Sequence, residues 1–161
     1  MKKINIKSIG DKIVAGVKYK MEDFTWLKLA QLFIVVIMLI NLVYADIYND
    51  ALLKLERNIS GFKMFCFVLC SIIAAVFSIR IEPGVKSKVI IALLSVALVL
   101  ICGYLLVWEF QYGLTQQTAI TDASKVVVQK GLNFLYVMMA GFGISFVAIA
   151  ATAFKKPKKL Y

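Results

Sequence analysis

The sequence predicts an all-α integral membrane protein with four transmembrane helices in a bundle. Of its 161 residues, 61% are hydrophobic and the mean hydropathy is +0.85, which is more apolar surface than a soluble domain of this size buries. The apolar residues fall into long blocks, and every position of 32–40 and of 96–101 is apolar. Backbone polar groups inside lipid pair either within a helix or around a barrel, whose strands alternate apolar with polar positions. Continuous apolar blocks therefore predict helices.

Each of the four predicted spans has the length that a membrane requires. Crossing about 30 Å of hydrocarbon at 1.5 Å per residue takes about 20 residues. The limits of the apolar blocks place the spans at residues 26–44, 62–79, 89–108 and 132–154. Residues 25–161 then form one transmembrane domain, preceded by a separate cytoplasmic segment. The stretch Val43-Tyr44-Ala45 resembles a signal-peptidase site, but the basic region before it is unusually long, so we expect the first span to be retained.

The distribution of basic residues predicts that both ends of the chain are cytoplasmic. Fourteen of the 19 Lys and Arg residues lie before or at the border of the first span, between spans two and three, and after span four. The two remaining loops share the other five. Cytoplasmic loops carry the excess of Lys and Arg, so the larger group lies inside. We therefore expect a multi-pass protein of the plasma (cytoplasmic) membrane.

Residues 1–24 are predicted to form a basic amphipathic helix on the inner leaflet. Apolar residues recur at intervals of three and four, which gathers them on one helical face: Ile6, Ile9, Ile13, Val17, Met21 and Phe24. The residues expected to contact the inner leaflet are Lys7, Lys12, Lys18 and Lys20. Each lysine near anionic lipid contributes about 1 kcal/mol, so anionic inner-leaflet lipid is the expected partner. Docking of the apolar stripe on a protein is the alternative.

The first outer loop, residues 45–61, is predicted to contain a short helix. Asn49 or Asp50 is the candidate N-cap, and Gly61 is the candidate stop before the second span. The triplet that begins at Asn58 matches a glycosylation sequon, but such triplets are common and this one lies against the membrane. We do not expect it to be used.

The second outer loop, residues 109–131, is the longest polar stretch of the chain. Thr121 or Asp122 is the candidate N-cap of a helix that continues into the fourth span. Loops carry function more often than cores do. This loop is therefore the surface on which we expect an external partner.

Stripes of small residues, spaced by about one helical turn, predict where helices touch. The stripe of the second span comprises Cys66, Cys70, Ala74 and Ser78, and that of the fourth span comprises Gly141, Ser145, Ala148 and Thr152. Small side chains let backbones approach closely, which favours helix association in lipid. The first span is bulky throughout 32–40, so we expect it to face lipid or a larger partner.

Asn41 and Asn133 are the candidate polar residues within the membrane. An amide in hydrocarbon normally bonds to another helix, so we expect Asn41 to clamp the helices together, with the lining of a polar path as the alternative. A soft-metal or redox cluster is conceivable at Cys66, Cys70 and Cys102. Without His or an adjacent charge to favour the thiolate, we interpret these cysteines as packing residues.

The groups that catalysis requires are missing from the sequence. The chain has no His, no nucleophile next to a base, no Gly-rich phosphate loop and no carboxylate pair. Neither Pro lies in a span and no acid lies near a span centre, so the usual features of proton-coupled transport are absent. We therefore expect no enzyme, no catalytic residue, no cofactor, no metal and no nucleic-acid partner. Paired extracellular Cys or a Glu in the first span, as in familiar four-pass groups, is also absent.

Three functions remain after these exclusions. We favour a non-catalytic membrane subunit that assembles with itself or with other membrane proteins. The first alternative is a self-assembled pore or small channel, with a central path faced by Asn41, Ser71, Ser95 and Asn133. The second is an immunity or exclusion protein that blocks a pore-forming toxin or another invader within the bilayer.

Overall fold

The computed structural model describes residues 26–54, 58–82, 85–116 and 121–153. These ranges are helical almost throughout. They contain α1 (Trp26–Val43), α2 (Ala45–Lys54), α3 (Asn58–Ile79), α4 (Lys86–Gln116) and α5 (Asp122–Ala153). The amphipathic helix expected over 1–24, with Lys7, Lys12, Lys18 and Lys20, lies outside the described residues.

Four of these helices, α1, α3, α4 and α5, are long and apolar enough to cross a membrane. Their apolar segments have mean hydropathies of 2.2, 2.3, 2.9 and 2.1, yet only 28 to 33% of each segment is buried inside the protein. Large apolar side chains such as Leu32, Leu94 and Val147 are at least 60% exposed. Contiguous apolar surface on this scale is covered by lipid or by another protein. The described part of the chain is therefore helical, with four candidate membrane spans.

The long helices lie side by side, with α4 packed against both α3 and α5. Helix α1 contacts α3 through a hydrogen bond from Asn41 to Ser71, and contacts α5 where Ile37 meets Gly141. The short helix α2 packs against α5 and α3. We call the end of the molecule that contains α2, the start of α3, the end of α4 and the start of α5 the α2 end.

Helix α1 presents two different faces. Leu27, Ile34 and Ile37 are buried against the neighbouring helices, whereas Leu32 and Leu39 are more than half exposed. The expectation that the bulky first span faces lipid or a partner therefore describes only one side of the helix. The other side contributes to the apolar core.

The segment predicted as the second outer loop, 109–131, is helical over most of its length, because α4 continues to Gln116 and α5 begins at Asp122. Helices α4 and α5 have 31 and 32 residues and are about 46 and 48 Å long, so both extend past a hydrocarbon layer of about 30 Å. The extensions are helical because they have apolar residues to bury: Phe110 and Val128 are fully buried at the α2 end. The cap at Thr121 is confirmed, since its Oγ1 accepts a hydrogen bond from Ser124 N–H at 3.3 Å.

Helix α2 begins earlier than predicted, at Ala45, so neither Asn49 nor Asp50 is its N-cap. Only Tyr44 separates it from α1, and the hydrogen bonding continues through this turn, from Tyr44 N–H to Ile40 C=O at 3.0 Å. Gly61 does not precede the second span either, because it lies in the first turn of α3. A glycine inside a helix costs only about 1 kcal/mol, which the long apolar segment that follows offsets.

Candidate functional site

Polar side chains in the interior form contacts between helices. Among the described residues, the buried polar side chains are Gln31, Asn41, Ser71, Ser78, Glu109 and Ser145. Buried polar groups are expensive in an apolar environment unless they are hydrogen-bonded. The partner of each group therefore indicates what it does, except for Ser78, whose Oγ has no hydrogen-bond partner within the described residues.

Gln31 of α1 caps the C-terminal end of α3. The last carbonyls of a helix have no partner within the helix itself. Gln31 Nε2 donates to the carbonyl oxygens of Ser78 at 2.9 Å, Ile81 at 3.2 Å and Ile79 at 3.3 Å. A side-chain amide from one helix thus satisfies the backbone of another, at the end opposite to the α2 end.

Asn41 joins α1 to α3 inside the membrane. Its Nδ2 donates to Ser71 Oγ at 3.2 Å, and Ser71 Oγ in turn donates to the carbonyl of Val68 at 2.7 Å. Asn41 and Ser71 are both fully buried. Asn41 Oδ1 has no hydrogen-bond partner within the described part of the chain. The contact is an interhelical hydrogen bond of the kind that the sequence predicts for Asn41.

An ion pair between Lys63 and Glu109 joins α3 to α4. The Glu109 side chain is 7% exposed and that of Lys63 is 26% exposed, so water screens the pair only in part. Lys63 Nζ also lies 5.9 Å from the ring centre of Trp108, within cation–π range. Glu109 is about 34 Å along α4 from Lys86, so the pair lies at the edge of the hydrocarbon. The sequence carries a signal for this ion pair: consecutive predicted spans have a basic and an acidic residue at the same distance from the membrane surface.

The three cysteines are free and half-buried. Cys70 and Cys102 have their sulfur atoms 4.0 Å apart, across the contact between α3 and α4. Within the described ranges no group of three or more His, Cys, Asp and Glu side chains is placed to hold a metal ion. The sulfur contact is compatible with packing of small, polarisable side chains.

Half of the residues in the predicted small-residue stripes are buried. On α3, Ala74 and Ser78 are fully buried. On α5, a Cβ atom at Gly141 would lie 2.8 Å from Ile37 Cδ1, so the helix that approaches it is α1. The hydroxyl of Ser145 donates back to the Gly141 carbonyl at 2.9 Å.

The remaining members of the stripes are less enclosed. Cys66 and Cys70 are half-buried, as are Ala148 and Thr152. Thr152 Oγ1 donates to the Ala148 carbonyl at 2.8 Å, within its own helix. These positions therefore combine core packing with partial exposure at the protein surface.

Two close contacts at glycines were missed by sequence reasoning. A Cβ atom at Gly103 would overlap Met139 Sδ of α5 and lie 2.9 Å from Phe67 Cε2 of α3, and one at Gly131 would lie 2.9 Å from Ala51 Cβ. Neither glycine belongs to a stripe of small residues, so its spacing carried no signal. Gly103 is the point where α4 approaches both α5 and α3, and Gly131 is the point where α5 approaches α2.

No family model, curated protein or solved structure matches this chain. Its function is therefore inferred from its own residues.

The four residues predicted to face a pore have different surroundings. Asn41 and Ser71 are buried against each other. Ser95 is half-buried and donates to the carbonyl of Ile91 at 2.8 Å, and the exposed Asn133 accepts from Gln129 at 3.0 Å. The polar groups described here cap a helix, join two helices and pair two charges, which are all means of holding the spans together.

Proposed function

We propose that this chain is a non-catalytic subunit that assembles with itself or with other proteins in the plasma membrane. One observation carries the proposal: apolar side chains are exposed on the part that projects past the hydrocarbon. Leu53 of α2 is 65% exposed and Val126 of α5 is 69% exposed, both at the α2 end. We place these two side chains beyond the reach of the acyl chains, so a protein partner is the cover that we propose.

The internal contacts support a four-helix bundle that serves as a rigid unit of a larger complex. Three polar contacts tie α1 to α3 and α3 to α4, while the interior is otherwise apolar. Small residues and interhelical hydrogen bonds are the usual basis of helix association in lipid. The bundle would therefore keep its shape while its outer surface meets a partner.

The basic residues support an arrangement with both termini in the cytoplasm. Fourteen of the 19 Lys and Arg residues belong to the tails and to the link between α3 and α4. In this arrangement the α2 end is extracytoplasmic. The partner that covers Leu53 and Val126 would then be a neighbouring membrane protein that also projects from the outer face.

Site-specific cross-linking in cells tests this proposal. A photoreactive residue at position 53 or 126 should give one discrete cross-linked species, whereas the same residue at the exposed position 123 serves as the matched control. Leu53→Glu should reduce the assembly's mass in mild detergent. Ala123→Glu should leave that mass unchanged.

A single-chain mass with no cross-link at 53 or 126 would contradict assembly. Ion conduction by the purified protein in a planar bilayer would favour the pore instead. Because Asn41 and Ser71 are buried within one chain, such a pore would have to use other residues. Protection of cells against a pore-forming toxin, without assembly, would favour the exclusion function.

A further inference from the structure

An open groove of about 840 Å³ lies between the end of α4 and the first half of α5. Its apolar lining has two parts: Leu114 of α4 and Val126 of α5 lie in the helix extensions past the hydrocarbon, and Phe134 and Val137 of α5 lie deeper. The Tyr44 ring stacks on Phe134 with the ring centres 4.3 Å apart, which holds this part of the lining in place. The groove has the volume of a typical small-molecule site.

Four polar side chains line the same groove: Lys125, Gln129, Lys130 and Asn133. Lys130 forms no ion pair with any described residue. Lys125 lies 3.4 Å from Asp122, but that carboxylate is 99% exposed, so water screens the pair strongly. Lys130 and Lys125 therefore give the groove a positive charge that the protein neutralises only in part.

Lys130 and Val137, both in the groove, lie at different depths in the membrane. Lys130 precedes Thr152, near the end of α5, by 22 residues, or about 33 Å of helix, which is close to the thickness of the hydrocarbon. Lys130 therefore lies at the level of the lipid headgroups. Val137 is two turns further along and about 10 Å deeper, at the level of the acyl chains.

We propose that this groove binds a phospholipid with an anionic headgroup from the leaflet at the α2 end. The lysines face the phosphate, the amides of Gln129 and Asn133 offer hydrogen bonds to the headgroup, and one acyl chain lies against Phe134 and Val137. The lysines lie at the level of the headgroups and the apolar side chains lie at the level of the acyl chains. An anionic phospholipid in a leaflet presents its charge and its chains in the same order. An anionic phospholipid always carries its phosphate at this depth, whereas a helix of another protein would need an acidic side chain at the matching position. This binding site requires that the four long helices span a bilayer. It does not depend on which side of the membrane is the cytoplasm.

Native mass spectrometry of the full-length protein tests the headgroup contact. Phosphatidylglycerol and phosphatidylcholine with identical chains are added to separate samples in mild detergent. Two lysines near the headgroup predict that phosphatidylglycerol binds about 30-fold more tightly. The double variant Lys125→Gln/Lys130→Gln should lose this preference. Lys54→Gln, an exposed lysine at the same end but outside the groove, is the matched control and should retain it.

A second pair of variants tests the acyl-chain contact. Val137→Trp fills the groove, whereas Val147→Trp places the same side chain at a position of similar exposure on α5, outside the groove. Only Val137→Trp should reduce phosphatidylglycerol binding, and both proteins should elute from gel filtration like the parent.

Three results would overturn the proposal. The first is an unchanged lipid preference in the double lysine variant, and the second is an equal loss with Lys54→Gln, which would indicate general charge attraction. The third is that the parent protein has the mass of a dimer and that Val137→Trp abolishes this dimer while lipid binding persists. The occupant of the groove would then be a second copy of the chain.

Discussion

Two glycines of α5, two positions apart, have very different surroundings. A Cβ atom at Gly141 would lie 2.8 Å from Ile37 Cδ1 and 3.3 Å from both γ carbons of the same side chain. A Cβ atom at Gly143 would have no described atom within 4 Å. Ile37 is β-branched, so its rotation about χ1 is restricted and it yields little. Gly141 therefore defines the distance between α5 and α1.

We predict that Gly141→Ala destabilises the protein relative to Gly143→Ala by about 1 to 3 kcal/mol. Both changes gain about 1 kcal/mol of helix propensity, but only the first forces a methyl group into a filled contact. Unfolding in mixed micelles, followed by circular dichroism, measures the difference. Equal midpoints for the two variants would show that α1 and α5 are not in close contact at this position.

Tyr48 of α2 is fully buried, and its hydroxyl has no hydrogen-bond partner within the described ranges. We predict that Tyr48→Phe leaves stability unchanged or raises it by about 1 kcal/mol, since no hydrogen bond is lost and the edge-on contact with Phe67 remains. Tyr136→Phe should instead lower stability by about 0.5 to 1.5 kcal/mol, because the Tyr136 hydroxyl accepts a hydrogen bond from Gln111.

Alkaline pH offers a second measurement on the same variant. Burial, and to a lesser extent the nearby Tyr44, raises the pKa of Tyr48 above its ordinary value of about 10. The folded state thus favours the neutral phenol, a contribution that is fully present below pH 10 and is lost as the pH rises further. The parent should lose more stability than Tyr48→Phe above about pH 10. Parallel curves would contradict burial of this hydroxyl.

At the scale of helices, polar groups at different depths determine how α1, α3 and α4 align. Gln31 contacts α3 at one end, Asn41 contacts it in the middle, and Lys63 of α3 contacts α4 at the α2 end. Apolar contacts alone allow a helix to slide or rotate against its neighbour. Hydrogen bonds at fixed positions restrict that freedom, because each displacement leaves a buried polar group without a partner.

We predict that Lys63 and Glu109 are energetically coupled. Glu109→Gln should cost about 1.5 to 3 kcal/mol, since it removes a charged hydrogen bond from a nearly buried position. The double variant Lys63→Met/Glu109→Gln should cost less than the sum of the two single changes by about 1 to 3 kcal/mol. A double-mutant cycle in mixed micelles measures this coupling. Additive effects would show that the pair contributes nothing to the contact between α3 and α4.

At the scale of the whole molecule, we predict that the α2 end is extracytoplasmic. With the three native cysteines replaced by alanine, Ala123→Cys should react with an impermeant thiol reagent added to intact cells. Ser87→Cys, exposed in the first turn of α4, should react only after the membrane is opened. The reason is the excess of Lys and Arg on the Ser87 side of the membrane. The reverse labelling pattern would contradict the proposed orientation.

The number and type of the long helices could be predicted from the sequence, because a backbone in lipid has to form its hydrogen bonds within a helix or a closed barrel. The Thr121 cap was also predictable, since its signal is local. The contacts between helices were harder to predict, as Gly103 and Gly131 show. An apolar segment such as α4 has residues of one character on every side, so its sequence does not indicate which face meets which neighbour.

The charged residues that bracket α3 make the protein sensitive to membrane thickness. Lys63 and Arg80 are 17 residues apart, or about 25 Å along the helix, which is shorter than a typical hydrocarbon layer of about 30 Å. A span that is too short is accommodated by local thinning of the bilayer or by side chains that extend toward the interface. In a thicker bilayer, the Lys63 ammonium group could not reach the headgroups and contact Glu109 at the same time. Hydrophobic mismatch would therefore act directly on the ion pair that holds α3 to α4.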